Sequence, residues 1–94
     1  MNPLVDPDGN REWRRGSKLH REGGPAVERA DGTKEWYENG RLVREDGPAV
    51  EWVDGYKAWY RGGKLHRDGG PAVERADGYR AWYDHGRLVR EEKP

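Results

Sequence analysis

The 94 residues of this chain are enough for one domain and not for two. Only 32% of them are hydrophobic and 38% are charged, so the apolar supply is thin for a conventional two-layer core. The 18 basic residues balance the 18 acidic ones, which argues against a nucleic-acid binder or mimic, and the absence of cysteine excludes disulfides and thiolate metal sites.

The sequence repeats itself every 23 residues. Asp-Gly pairs begin at Asp8, Asp31, Asp54 and Asp77, and the same step relates Trp13, Trp36, Trp59 and Trp82. A fixed period of this size is typical of repeat architectures, in which each unit packs on its neighbours. We therefore predict one domain over residues 2–93. It consists of four segments, numbered in chain order, at residues 2–24, 25–47, 48–70 and 71–93.

Each segment carries two turn signals, which the third segment illustrates. Asp54-Gly55 lies between two short runs rich in Val, Trp and Tyr, and this pair favours a two-residue type I′ turn. A second turn pair follows at Gly62-Gly63, with counterparts at Gly16-Ser17, Asn39-Gly40 and His85-Gly86. Two turns in a segment predict a three-stranded antiparallel meander.

Pairing across these turns predicts which side chains share a face. Val50 would lie opposite Trp59, and Tyr60 opposite Leu65. Because side chains alternate along a strand, one face would carry Val50, Trp59 and His66, and the other would carry Ala49, Tyr60 and Leu65.

The same pairing predicts how the segments join. If Arg67 lies opposite Ala72, the ladder runs on into the next segment. The predicted fold is therefore all-β, an elongated antiparallel β-meander in a single twisted sheet. Pro3, Pro7 and the charged tail 91–94 would blunt its two edges.

A longer period of 46 residues overlies the first. The first and third segments share Lys-Leu-His-Arg, at 18–21 and 64–67, whereas the second and fourth share Arg-Leu-Val-Arg, at 41–44 and 87–90. Alternate segments are therefore expected to face different environments.

The 23-residue period, the Asp-Gly and Trp-Tyr pairs, and the Asn-Gly-Arg-Leu and Gly-Pro-Ala-Val runs resemble the variant MORN repeats of bacterial and phage proteins. The resemblance covers nearly the whole chain. It implies successive β-hairpins in an extended sheet that acts as a protein-interaction or scaffold module. It also implies two roles described for such repeats, an antitoxin role in some bacterial members and lipid head-group binding in eukaryotic ones.

The residues that could carry catalysis or bind a metal have simpler structural explanations. Ser17 is three residues from His20, but it occupies a hairpin turn, and nothing beside it predicts an oxyanion hole. His20 and His66 share a position that Val43 and Val89 fill elsewhere, which favours a half-buried spacer over a metal ligand. The run 6–10 has its glycine two positions too early for an EF-hand. We predict no catalytic, cofactor or metal residue.

Departures from the repeat are the better candidates for binding a partner. Trp52 stands where other inner segments have Arg29 and Arg75, and Tyr56 and Tyr79 replace Asn10 and Thr33. These aromatic residues fit either a contact surface or packing within the sheet. The recurring aromatic and basic residues expected on the same face complete the candidate set: Tyr37, Tyr60, Tyr83, Arg44, Arg67 and Arg90. With the recurring glutamates, those arginines form either a ladder of ion pairs or a mixed-charge groove for a partner.

These features predict a non-enzymatic, cytoplasmic module that binds a protein partner. By resemblance, that partner would be a toxin or a host-defence protein, which makes the chain an antitoxin, immunity protein or inhibitor. The alternative is a scaffold that binds a membrane surface or lipid head groups, against which the zero net charge argues. Binding of single-stranded nucleic acid through Arg and Trp is a third class, for which we expect no affinity below micromolar. Apolar rows on both faces of one sheet also predict association through a face as a homodimer.

Overall fold

Fifteen short antiparallel strands carry the fold in this computed structural model, which describes residues 2–94. They are β1 (Leu4–Val5), β2 (Arg11–Glu12), β3 (Arg14–Arg15), β4 (Lys18–Leu19), β5 (Val27–Glu28), β6 (Lys34–Glu35), β7 (Tyr37–Glu38), β8 (Arg41–Leu42), β9 (Val50–Glu51), β10 (Lys57–Ala58), β11 (Tyr60–Arg61), β12 (Lys64–Leu65), β13 (Val73–Glu74), β14 (Arg80–Asp84) and β15 (Arg87–Glu92). No helix long and apolar enough to cross a membrane occurs among residues 2–94. The predicted all-β class is confirmed.

Nine of these strands form one antiparallel sheet, in the order β1-β2-β5-β6-β9-β10-β13-β14-β15. The other six pair as separate hairpins, β3 with β4, β7 with β8, and β11 with β12. The molecule measures 39 × 25 × 18 Å, so it is longer in one direction, as predicted.

The predicted junction between segments was wrong, because Arg67 does not continue a ladder to Ala72. Instead β13 pairs with β10, and Val73 lies opposite Ala58. The change of partner happens at the tryptophan. The N–H of Trp59 donates to the carbonyl of Ala72 in the next segment, whereas its own carbonyl accepts the N–H of His66. Trp13 and Trp36 make the equivalent pair of bonds. At each of these three tryptophans the chain therefore leaves the main sheet and enters its own hairpin.

The predicted Asp-Gly turn was also wrong by one residue. Trp52 pairs with Tyr56, so the loop has three residues, 53–55, and only Gly55 among them has a positive φ, of 95°. The reason is the aspartate side chain. Oδ1 of Asp54 accepts the backbone N–H of Tyr56 at 3.0 Å, which holds Asp54 at negative φ and leaves the left-handed position to glycine. Val50 consequently lies opposite Ala58, not opposite Trp59.

The second turns follow the prediction more closely. Tyr60 lies opposite Leu65, as predicted, around Gly62 and Gly63, whose φ values are 60° and 81°. Asn39-Gly40 and His85-Gly86 also place both residues at positive φ, the pattern of a type I′ turn. At Gly16-Ser17 only the glycine does so, which is the pattern of a type II′ turn.

The register of the main sheet sorts its residues into two rows. One row is mostly small and apolar and runs through Leu4, Glu12, Val27, Glu35, Val50, Ala58, Val73, Ala81 and Glu91. The other alternates positive and negative charge from strand to strand and runs through Arg11, Glu28, Lys34, Glu51, Lys57, Glu74, Arg80 and Glu92. Opposite charges directly across an antiparallel pair favour this register over like-charge alternatives.

Arginine stacked on tryptophan is the main packing unit of the charged side. The guanidinium carbon of Arg44 lies 3.8 Å from the ring centroid of Trp36. The same guanidinium donates to the Pro48 carbonyl at 3.1 Å and to Glu51 at 2.9 Å. A Cβ on Gly47 would lie 3.0 Å from it, which explains the glycine before each proline. Equivalent sets surround Trp13 with Arg21 and Trp59 with Arg67, each at 3.8 Å.

The fourth segment ends differently from the others. After its turn the chain does not leave the hairpin but runs on as β15, and Glu91 and Glu92 pair with Ala81 and Arg80. Glu91 therefore pairs with Ala81 in the way that Val73, from the next segment, pairs with the equivalent Ala58. An irregularity between Trp82 and Tyr83 absorbs the change in register. In these described residues β15 is therefore the edge strand of the main sheet.

Candidate protein-binding face

Six aromatic side chains lie on the apolar side of the sheet. Three of them are tyrosines that come two residues after Glu35, Ala58 and Ala81 of the apolar row. Because side chains alternate along a strand, these tyrosines lie on the same side as that row. We call the following set the tyrosine face: Tyr37, Trp52, Tyr56, Tyr60, Tyr79 and Tyr83. All six were predicted from the sequence as partner-binding candidates, and the structure brings them to one side of the molecule.

Trp52 is the most exposed large aromatic residue of this face. Its side chain is 46% exposed, yet its position is well defined. The indole N–H donates to Oε2 of Glu35 at 3.1 Å, and the ring lies 4.7 Å from that of Tyr56. Glu35 also accepts the hydroxyl of Tyr37 at 3.3 Å. The sequence did not single out Glu35, although it stands where the later segments have Ala58 and Ala81. That departure was the available signal.

Tyr56 reaches the tyrosine face because it has lost a structural role. At the equivalent position, Oδ1 of Asn10 accepts the backbone N–H of Ala30 at 2.9 Å, and Oγ1 of Thr33 accepts that of Val53 at 3.3 Å. A tyrosine cannot make this short bond between neighbouring loops. Its ring stacks beside Trp52 instead.

Tyr79 is held at the opposite end of the face. Its hydroxyl donates to Glu91 at 2.6 Å, and the guanidinium of Arg75 lies 4.4 Å from its ring centroid. Arg75 adds a cation to an otherwise aromatic and acidic surface.

The three candidate arginines lie on the other side of the sheet, so the prediction that they share a face with the tyrosines was wrong. Arg44 and Arg67 stack on Trp36 and Trp59, and Arg90 lies 4.6 Å from the ring centroid of Trp82. The hairpin strands end at Leu42 and Leu65, so alternation does not extend to these arginines. Arg44 and Arg67 instead donate to the carbonyls of Pro48 and Pro71. The ion pairs weighed from the sequence do form, with Glu51 and Glu74 as partners.

Partial burial makes three of the tyrosines weaker acids. Burial, with the nearby Glu35 carboxylate as the second cause, raises the pKa of Tyr37 to about 12. Burial also raises the pKa of Tyr56 and of Tyr60. For Tyr79 the main cause of the raised pKa is its hydrogen bond to Glu91.

These shifts predict a loss of stability in strong alkali. An unfolded tyrosine ionises near pH 10, so between about pH 10 and 12 the folded chain keeps protons that the unfolded chain has lost. The free energy of unfolding should therefore fall as the pH rises through that range. Absorbance at 295 nm should show tyrosinate at higher pH in buffer than in 6 M guanidinium, and Tyr37→Phe should remove part of the late component. Identical titrations in the two solvents would contradict the burial of these rings.

His20 and His66, which occupy equivalent positions of the repeat, are buried. The prediction that they are half-buried was wrong. Nδ1 of His20 accepts the backbone N–H of Asn39 at 3.0 Å, and Nδ1 of His66 accepts that of His85 at 3.0 Å. Each bond joins a hairpin to the turn of the next segment. Valine cannot accept it, which accounts for the 46-residue alternation.

The two aliphatic hydroxyl side chains, Ser17 and Thr33, occupy turn and loop positions of the fold. Thr33 is buried and bonded to the loop of the next segment, and Ser17 lies in an exposed turn. In comparisons with protein-family models, curated proteins and solved structures, none matches this chain.

Proposed function

We propose that this chain is a non-enzymatic β-repeat module of four 23-residue MORN-like segments that binds another protein through the tyrosine face. The observation that carries the proposal is Trp52. A large indole stands 46% exposed while Glu35 and Tyr56 hold it in one orientation. Holding the ring before binding lowers the entropy cost of association.

The chemistry around Trp52 supports a protein partner. Tryptophan, tyrosine and arginine dominate the energetics of protein interfaces, and here Tyr56, Arg75 and Tyr79 accompany the indole. Val53 beside it is 64% exposed and adds apolar area. The face holds both a carboxylate, Glu35, and a guanidinium, so it is not suited to an anionic membrane surface, which attracts clustered cations. The resemblance to bacterial and phage repeats supports the narrower proposal that the partner is a toxin or a host-defence protein.

A face-specific crosslinking experiment tests this proposal. The photoreactive residue p-benzoylphenylalanine in place of Trp52 should capture a protein in the native cell, and the same residue in place of Lys57, in the charged row, should not. With the captured partner purified, Trp52→Ala should weaken binding about 30-fold, the effect of a central interface anchor. Lys57→Ala is the matched control and should change the dissociation constant less than twofold.

Two results would overturn the proposal. Equal capture from both positions would show that the tyrosine face is not the binding surface. Capture of no protein, together with flotation of the purified chain on vesicles of mixed anionic lipid, would favour the membrane alternative.

A further inference from the structure

Two histidines and an aspartate meet where the third hairpin packs on the last turn. Nδ1 of His66 lies 3.3 Å from Oδ1 of Asp84, and Nδ1 of His85 lies 2.6 Å from the same oxygen. The two imidazole rings are 4.2 Å apart between centroids. One potential ligand atom from each of the three residues lies within 4.8 Å of the others. We propose that His66, Asp84 and His85 form a binding site for a divalent transition ion of the Zn²⁺ type.

The proton arrangement of His66 suits a metal ligand. Its Nε2 lies 3.0 Å from Oδ1 of Asp68, which fits an N–H donated to that carboxylate. The proton on Nε2 leaves Nδ1 as an acceptor, which now takes the backbone N–H of His85 with Oδ1 of Asp84 3.3 Å away. A carboxylate that fixes the other ring nitrogen is the usual second partner of a metal-bound histidine. Arg61 in turn donates to Asp68 at 3.0 Å and holds it in place.

The ligand types select the ion. Two imidazoles and one carboxylate suit Zn²⁺, Cu²⁺ or Ni²⁺ better than Ca²⁺ or Mg²⁺, which prefer oxygen alone. Three protein ligands leave the fourth tetrahedral position to water. Binding requires that Nδ1 of His66 exchange the backbone N–H of His85 for the ion, and that His85 move away from Asp84. Asp84 and His85 are exposed, so both can make this adjustment.

The turn that carries His85 brings the second imidazole to the site. His85 has a φ of 49°, in the left-handed region that favours glycine or asparagine, and the equivalent positions hold Gly16, Asn39 and Gly62. The repeat pattern favoured a spacer role for His66, because it relates His66 to Val43 and Val89 at equivalent positions. It does not relate His66 to His85, 19 residues further along the chain.

The chain contains its own matched control. The junction between the first and second segments places His20 beside Glu38 and Asn39, so it has the same buried histidine without a second imidazole. Nε2 of His20 is also buried without a hydrogen-bond partner, whereas that of His66 has Asp68. The site is therefore specific to the last junction.

Titration of the purified, metal-free chain with Zn²⁺ in a calorimeter tests the proposal, with Co²⁺ absorption as a spectroscopic check of nitrogen ligation. The wild-type chain should bind one ion, and His85→Asn should weaken binding at least tenfold. Asparagine already holds the same turn at position 39, so this variant should fold normally, as judged by far-UV circular dichroism. Asn39→His should create a second, weaker site at His20 and raise the stoichiometry from one ion to two.

The site would be disproved if the wild-type chain bound no ion at micromolar concentration. It would also be disproved if folded His85→Asn bound Zn²⁺ as tightly as the wild type.

Discussion

Replacing Trp59 with alanine is expected to lower the free energy of unfolding by about 3 kcal/mol. The ring of Trp59 packs under the guanidinium of Arg67, 3.8 Å from the ring centroid, at the point where the chain passes from the main sheet to the third hairpin. Alanine would remove the packing surface and leave the guanidinium and its partner Glu74 poorly supported. A domain of this size has a stability of roughly 5–14 kcal/mol, so the loss is a large fraction.

Urea denaturation followed by far-UV circular dichroism measures this effect. Trp52→Ala is the matched control, because it removes the same side chain from an exposed position and should cost less than about 1 kcal/mol. Arg67→Lys separates the two parts of the interaction, since lysine keeps the charge but cannot stack flat or bond through a planar fork. If Trp59→Ala and Trp52→Ala had the same urea midpoint, the arginine–tryptophan stack would not be a main source of stability.

Enlarging Ala49 to leucine is expected to cost about 2–3 kcal/mol through overpacking. Ala49 is fully buried, and it lies between the strands that carry Trp36 and Trp59. Its carbonyl accepts the N–H of Trp36 at 2.8 Å, and its own N–H donates to Ala58 at 2.8 Å. Neither backbone can move away to admit a larger side chain without breaking these bonds.

For a chain of this length the loss corresponds to a fall in Tm of roughly 10 °C or more. Ala30→Leu provides the comparison, because Ala30 is exposed at a loop tip, and its Tm should change by a few degrees at most. Equal shifts for the two variants would show that the alanine positions tolerate volume, and would contradict the close packing of the strands.

The period of 23 residues was enough to predict the all-β class and the second turn of each segment. Two adjacent residues that are mostly glycine or asparagine favour a two-residue hairpin turn. The prediction that Tyr60 lies opposite Leu65 is confirmed. The first turn was misjudged because an Asp-Gly pair suits two loops of different length. The choice between them depends on a bond from the Asp54 side chain, and composition does not reveal this bond.

The arrangement of the candidate site was predictable only in part. Trp52 stood out because it breaks the repeat, and it does lie exposed. The separation of the arginines from the tyrosines depends on where each hairpin strand ends, because alternation does not fix the side of a residue beyond that point. The meeting of His66 with His85 depends on how a hairpin packs on the next turn, which periodicity cannot show.

The change of partner at Trp13, Trp36 and Trp59 has a consequence for biosynthesis. Every strand of the main sheet pairs only with strands made shortly before or after it, so no strand waits for a distant one. Sheets with such local pairing avoid the slow closure of long loops. Each segment can therefore add to the sheet as it leaves the ribosome.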